Sequence, residues 1–405
     1  MRNSIADGHG TVTTRPTWRE ARAIAAAAGA AATRPPEAVP LDRAVGRRLA
    51  ADLVTPIDLP HFASAAMDGW LVAGEGPWKL VAAEAPGSGQ ARPIVTGAHI
   101  PAAAAATMAV LRSESGVAEG GALHSTATGE PRPGQHIRLP ATEAEHGELL
   151  ICAGTLLNPA HVALAAATGA DDLTVQATPT VALVFTGDEV VESGLPEAGR
   201  VRDSFGVQLP ALIGMLGGRA TGAARVPDTL DDTVAALRGA RADVIVTTGG
   251  TGGSPADHVR AALLALGARF LVDGVAMRPG GPTRIAELPD GRLVVALPGN
   301  PLAAMVAAIT LLEPLLAGLA GCAPVPTRTV RATAVDGRPG STVLVPYSEV
   351  DGRAVVAAWR GAAMLRGLAG ATGLLVVPPE GLHDGAAAES LPVPWLNSPW
   401  QPVEN

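Results

Sequence analysis

The sequence predicts a multidomain α/β protein: a central βαβ domain with a parallel or mixed sheet, small mostly-β modules, and a mixed α/β N-terminal linker domain. Three observations carry this prediction. The chain has 405 residues, enough for two to four domains with real cores. Apolar residues make up 47% and charged residues only 17%, which excludes a disordered chain. Between about 177 and 322, near-continuous apolar runs alternate with helical segments, as strands buried on both faces of a parallel sheet require.

Taken in order, "TWRE" at 17–20 is a capping box, with Thr17 capping and Glu20 bonding back, and an alanine-rich helix follows to about Gly29. Residues 42–52 suit a second short helix or a turn. From about 53 to 137 short β-like runs are split by Gly and Pro, so a small β module is expected there. At 158–169 Asn158 caps a helix, Pro159 takes its first position and Gly169 ends it. The central domain then offers strands at 180–189, 243–250 and 292–300, and helices near 203–216, 229–241 and 255–266. Pro210 inside the first of these helices predicts a kink or a late start. Residues 326–405 read as a small C-terminal β domain. Residues 1–52 and 138–176 are expected to form the discontinuous linker domain, 53–137 the β module, and 177–322 the α/β domain.

Charge and cysteine content narrow the function. A net charge of −8 argues against a nucleic-acid groove, while leaving room for a local basic pocket that takes a small anion. Of the 30 basic residues only Lys79 is a lysine, so an arginine at a functional position also reflects the general bias of the chain. Cys152 and Cys322 lack metal-ligand spacing; they are expected to pack as small hydrophobes in a reduced, cytoplasmic setting. No membrane span is expected, because Pro314 and a glycine-rich end break the apolar run at 302–320.

Three strand ends carry unusual residues: "FTGDE" at 185–189, "TTGGTGG" at 247–253 and "LPGNP" at 297–301. In open α/β sheets ligands sit outside the carboxyl ends of the strands. Glycines there let backbone N–H groups point at an anion, with the dipole of the next helix adding positive charge. Acids stand beside them: Asp188, Glu189, Asp203, Asp228 and Asp257. Carboxylates near phosphate imply a bridging hard cation, hence metal-assisted phosphoryl or phosphoanhydride chemistry. Each motif alone has a plainer reading. A single Gly-rich turn is a loop, Asp203 and Asp257 suit helix caps, Asp228 after Pro227 suits a turn, and Asn300-Pro301 is an ordinary helix start. In "GVAMRPGGP" (274–282) Arg278 is either a fixed oxyanion clamp or a solvated surface residue. Asp68 and Thr96 sit in turns of the β module. The histidines do not cluster.

In their order, "LPHFASAAMDGW", "IVTGAHIP", "GTLLNPAHVALAAATGADDLTV", "FTGDEVVESG", "RVRDSFGVQL", "DVIVTTGG", "GVAMRPGGP" and "LPGNPLAAM" resemble the molybdopterin molybdenumtransferase family, which includes the C-terminal region of gephyrin. The likeness runs from about residue 17 to 322. The resemblance implies a homodimer of four-domain subunits whose active site lies in a cleft between subunits, and contact with a molybdopterin adenylyltransferase. It also implies the reaction: adenylylated molybdopterin and molybdate bind, the phosphoanhydride is cleaved with Mg²⁺, AMP leaves, and molybdenum joins the dithiolene. On this basis Asp188, Glu189, Asp228, Asp257 and Arg278 are candidate catalytic residues, with Glu189, Asp228 and Asp257 as metal ligands. Asp68, Thr96, Thr186, Gly187, Thr248, Gly249, Gly250, Pro298, Gly299 and Asn300 are candidate cofactor-binding positions.

The chain departs from the family's pattern at several anion-binding positions. The second lysine of the family's "KPGKP" is Gly281, and the "RRxGED" stretch is reduced to Arg138-Leu139-Pro140-Ala141-Thr142. Arg360-Gly361-Ala362 stands where the family has a Gln-Gly-Ser-like element. The "TTGGTG" loop resembles that of the related molybdopterin adenylyltransferases. An adenylyltransferase and a non-catalytic molybdopterin-binding or carrier paralogue therefore stay open as alternatives. No nucleic acid and no membrane enter any of these readings.

Overall fold

The computed structural model describes residues 15–129, 131–251 and 258–396. Contacts divide the chain into two compact units, Pro36–Val175 and Met1–Pro35 with Gln176–Asn405.

In the unit Pro36–Val175, strand Glu37–Pro40 pairs antiparallel with Asp172–Val175 over a core that includes Val39, Leu49, Ile151, Leu157 and Val175. A separate six-stranded sheet runs in the order Met108–Arg112, Gly69–Ala73, Gln90–Ile94, Trp78–Leu80, Ala122–Ser125, Gly116–Glu119. These are the short runs that Gly and Pro divide in the sequence. The helix Pro159–Ala167 starts as its sequence predicts: Asn158 Oδ1 accepts the His161 N–H at 2.9 Å, and His161 Nδ1 accepts the Asn158 N–H at 3.2 Å. Cys152 departs from expectation. It is exposed, just after strand residue Ile151 and at the entry to a turn.

The second unit opens with α1 (Trp18–Ala31). The Thr17 hydroxyl accepts the Glu20 N–H at 3.3 Å and the Glu20 carboxylate accepts the Thr17 N–H at 2.8 Å, which completes the capping box. Its strands and helices then alternate: β1 (Thr180–Phe185), α2 (Leu209–Met215), β2 (Arg219–Arg225), α3 (Leu230–Gly239), β3 (Val244–Thr248) and α4 (His258–Ala265). They continue with β4 (Arg269–Asp273), β5 (Arg284–Glu287), β6 (Leu293–Leu297) and α5 (Pro301–Ala307), then a π turn at Ala308–Leu312 and α6 (Glu313–Leu319). The sheet order is β2-β1-β3-β6-β5-β4; the first four strands are parallel, and β5 runs antiparallel to both of its neighbours, β6 and β4. Every residue of β3 and β6 is buried, which explains their near-continuous apolar sequences. Helix α2 starts late, at Leu209, with Pro210 in the first turn where its missing N–H costs nothing.

Pro314 does not break the run at 302–320 as its sequence predicts. Residues Pro301–Leu319 form one helical run with a mean hydropathy of 2.0, 89% of which is buried inside the protein as a core helix. The π turn just before Pro314 absorbs the misfit of the ring. The carbonyl that an N–H at 314 would have bonded, that of Thr310, instead accepts from Arg22 Nη1 at 3.2 Å.

The C-terminal strands Arg328–Ala332, Thr342–Val350, Arg353–Val356, Gly373–Val377 and Ala387–Pro392 form a second six-stranded sheet with the two residues Met277–Arg278. Met277 pairs with Thr342 and Arg278 with Val343, so the Arg278 turn is stitched to this sheet by its backbone.

Candidate functional site

Parallel pairing sets the geometry of the strand exits. Phe185 lies opposite Thr248, and Thr248 opposite Leu297, so β1, β3 and β6 end at one level. The chain after each strand is then held to its neighbour. The Thr186 hydroxyl donates to Thr248 O at 3.0 Å, and the Gly249 N–H donates to Leu297 O at 3.2 Å. A Cβ on Gly299 would lie 3.5 Å from the Gly249 Cα. The three glycine-bearing exits therefore converge.

The acids divide by role. Asp228 Oδ1 accepts the Gly187 N–H at 2.9 Å and its Oδ2 the Asp188 N–H at 3.2 Å, while Asp188 Oδ1 accepts the Asp228 N–H at 3.3 Å. Both oxygens of Asp228 thus hold the turn after β1. Asp188 and Glu189 are exposed beside it. Asp257 lies outside the described residues. Among the described residues, no three His, Cys, Asp or Glu side chains group as a metal cage.

Asp203 braces the chain that leads into α2. Its Oδ1 accepts the Phe205 and Gly206 N–H groups at 2.8 and 3.0 Å, and its Oδ2 pairs with Arg225 at 2.6 Å. Burial opposes ionisation, but these N–H groups and the guanidinium outweigh it and hold the carboxyl below its usual range. With the folded pKa depressed, the stabilisation is complete above the unfolded value of about 3.9 and is lost as pH falls through the folded one. Asp203→Asn should lower stability at neutral pH and flatten the loss below about pH 4, read from chemical denaturation across pH.

In the unit Pro36–Val175, Asp68 and Thr96 are brought together. Asp68 Oδ1 accepts the Thr96 N–H at 2.6 Å and its hydroxyl at 2.8 Å, which lowers the pKa of the exposed carboxyl.

Arg278, Pro298 and Asn300 line a cavity of about 1670 Å³ within the second unit, together with Arg15, Glu20, Arg338 and Arg360. Thr186, Gly187, Thr248, Gly249 and Gly250 are not among its walls. The loop 298–300 joins the two regions, with Gly299 packed toward Gly249 and its neighbours facing the cavity. Pro16 O accepts the Ala276 N–H at 2.8 Å, which sets the start of α1 against the Arg278 turn.

One residue escaped the sequence reading. Arg284, on β5, is 9% exposed; its Nη1 donates to Thr251 O at 2.6 Å and its Nε to Asp273 at 2.7 Å. Asp273 also binds Arg260 of α4 at 3.0 Å. These two arginines hold the described ends of the Gly-rich connection after β3. Only the charge of Arg284 inside an apolar strand, "TRIAEL", hinted at it.

Known proteins share this plan. The sequence profile described as "MoeA N-terminal region (domain I and II)" matches residues 17–169, and "Probable molybdopterin binding domain" matches 182–318. The chain is 33% identical over 311 residues to the molybdopterin molybdenumtransferase of Nostoc sp., covering 71% of this chain and 70% of that protein. It is 35% identical over 308 residues to that of Synechococcus elongatus, covering 69% and 74%. The molybdopterin biosynthesis MoeA protein of Pyrococcus horikoshii superposes with a TM-score of 0.74 at 26% identity, over 94% of this chain and 99% of that one. The convergent exits, the arginine-lined cavity and these likenesses lead to one conclusion: the chain belongs to the molybdopterin molybdenumtransferase family.

Proposed function

We propose that this protein inserts molybdenum from molybdate into adenylylated molybdopterin, cleaving the phosphoanhydride and releasing AMP. The observation that carries this reading is the shared level of the exits of β1, β3 and β6, with the Arg278 cavity reached through loop 298–300. Side-chain-free backbone at Gly187, Gly249 and Gly250 leaves room for a phosphate at these exits, while the N–H groups of Gly187 and Gly249 are already given to Asp228 and Leu297. Arg278 suits the tetrahedral molybdate oxyanion. Holding both reactants together contributes orientation, which can lower a barrier by about 7–11 kcal/mol.

Mg²⁺ fits as an ion carried by the phosphates. It is commonly held by one or two carboxylates plus substrate oxygens rather than by an all-protein cage. The exposed Asp188 and Glu189 carboxylates suit that task, with Asp257 a further candidate ligand, whereas Asp228 is occupied with the turn. Bound there, the ion would neutralise the phosphate charge. In this reading the enzyme is a cytoplasmic homodimer, and the Asp68–Thr96 pair of one subunit closes the cleft of the other. It meets the molybdopterin adenylyltransferase that makes its substrate.

The test is incubation of the purified protein with adenylylated molybdopterin, Mg²⁺ and molybdate. AMP release that requires molybdate, stops with EDTA and returns with added Mg²⁺ is the expected result. Binding without turnover would instead mean a carrier, and ATP-dependent adenylylation of molybdopterin an adenylyltransferase.

A further inference from the structure

Arg284 puts a charge on β5 at a position where its side chain is only 10% exposed. Its Nη1 donates to Thr251 O at 2.6 Å and to Pro282 O at 3.3 Å, and its Nε to Asp273 Oδ1 at 2.7 Å. The other Asp273 oxygen takes Nε and Nη2 of Arg260, on α4, at 3.1 and 3.0 Å. Burial opposes ionisation of Asp273, but the hydrogen bonds from Arg260 and Arg284 outweigh it and hold the carboxyl below its usual range. One carboxylate on β4 thus ties β5 to α4. A packed apolar side chain would serve the stability of this strand as well or better, so stability does not account for the arginine.

What the fork fixes is a peptide group. Gly249 and Gly250 both have left-handed backbone, with φ +84° and +58°. A Cβ on Gly250 would meet Val259 Cγ2 at 2.9 Å and lie 3.7 Å from His258 N, so the turn packs on the first residues of α4. Adjacent glycines let peptide planes rotate at small cost. An anion cradle needs those planes to present N–H and not C=O. The Thr251 carbonyl is committed to Arg284, and the Gly249 N–H to Leu297 O. The N–H groups of Gly250 and Thr251 meet no acceptor among the described residues, so they are the donors this turn keeps available.

We infer that Arg284 is a positioning residue for nucleotide phosphate: it pins the Thr251 carbonyl and, locked to Arg260 through Asp273, fixes the turn 249–251 against the start of α4. Arg284 itself touches no reactant. The inference rests on the reading that these strand exits take the phosphate of an adenylylated substrate.

The probe is AMP, titrated calorimetrically into the full-length protein and its variants, with molybdate-dependent AMP release supplying KM values. Arg284→Met should raise the AMP Kd and the KM for adenylylated molybdopterin about tenfold, with the molybdate KM within about twofold. Arg284→Lys should recover little, because one ammonium cannot bridge Thr251 O and Asp273 as the planar fork does. The salt dependence of AMP binding should match the wild type in both variants, since no direct charge contact with the anion is lost. Arg260→Gln, at a half-exposed position, should weaken AMP binding about threefold and keeps the test open if Arg284→Met fails to fold. Arg292→Met is the control for a merely structural loss. Arg292 Nη1 donates to Leu237 O and Ala240 O just before β6, at the opposite end of that strand from Leu297, so stability should fall while the AMP Kd holds.

Unchanged AMP affinity in either folded variant, full recovery by lysine, or equal weakening in Arg292→Met would overturn the proposal. So would a wild type that binds no AMP. A wild type that binds AMP but releases none with molybdate would sink the transferase reading alone, and the AMP titrations would still decide the role of Arg284.

Discussion

Replacing Glu313 by alanine should lower the unfolding free energy by about 3–5 kcal/mol, the loss typical when one partner of a buried ion pair is removed. The Glu313 side chain is 7% exposed and that of Arg22 13%. Glu313 accepts Arg22 Nη2 at 3.1 Å and the Val325 N–H at 2.8 Å, while Arg22 also serves the Thr310 carbonyl. Alanine would strand a guanidinium and an N–H beneath the core helix. Burial pushes the Glu313 carboxyl up and the Arg22 guanidinium down, each toward its neutral form and against the attraction between them. Desolvation is therefore the larger effect on both. The double variant Arg22→Met with Glu313→Leu should accordingly recover part of the loss, because a packed apolar pair avoids the desolvation of two charges but leaves the Val325 N–H and the Thr310 carbonyl without their side-chain partners. Urea melts of the two single variants and the double decide this; additive losses would contradict it.

In the proposed reaction, Gly249→Ala should reduce AMP release by about 100-fold, the scale on which small misplacements near reacting groups act. Gly249 has φ +84°, and a Cβ there would meet the Thr186 hydroxyl oxygen at 2.8 Å. That hydroxyl holds Thr248 O, so relieving the clash pulls the exits of β1 and β3 apart. The left-handed backbone adds about 1–2 kcal/mol of strain for a residue with a side chain. Circular dichroism should show a folded protein with a modestly lower midpoint. Turnover close to wild type would mean that the convergent main chain does not hold the substrate.

The parts of the fold that the sequence made legible are those whose physics is local. "TVALVF", "VIVTT" and "LVVAL" are near-continuous apolar runs because those strands are buried along most or all of their length. Strand β2, "RATGAAR", was hidden: it is an edge strand, mostly exposed, and carries Gly222. Pro314 misled because its usual effect was overridden by the side chain of Arg22, almost three hundred positions away in sequence. The acids of the site were legible as acids, but not their tasks. That Asp228 faces two N–H groups depends on how the turns after β1 and β2 meet, and Arg284 has no visible role until Thr251 and Asp273 lie beside it.

Helices α1 and α6 cross with their main chains touching: a Cβ on Gly29 would fall 2.1 Å from Leu315 O, and one on Gly318 2.4 Å from Ala26 O. No side chains lie between the two rods at this point to act as a cushion. Residues just before and within the first turn of α1 form part of the cavity wall, and Asn300, at the head of the run that ends in α6, forms another part. A strut welded in this way transmits displacement instead of absorbing it. The depth of the cavity is then preset, and accommodation of a guest falls to its rim, where the arginine side chains swing on flexible stems. Amide hydrogens around Ala26, Gly29 and Gly318 should consequently be among the last in this unit to exchange with solvent.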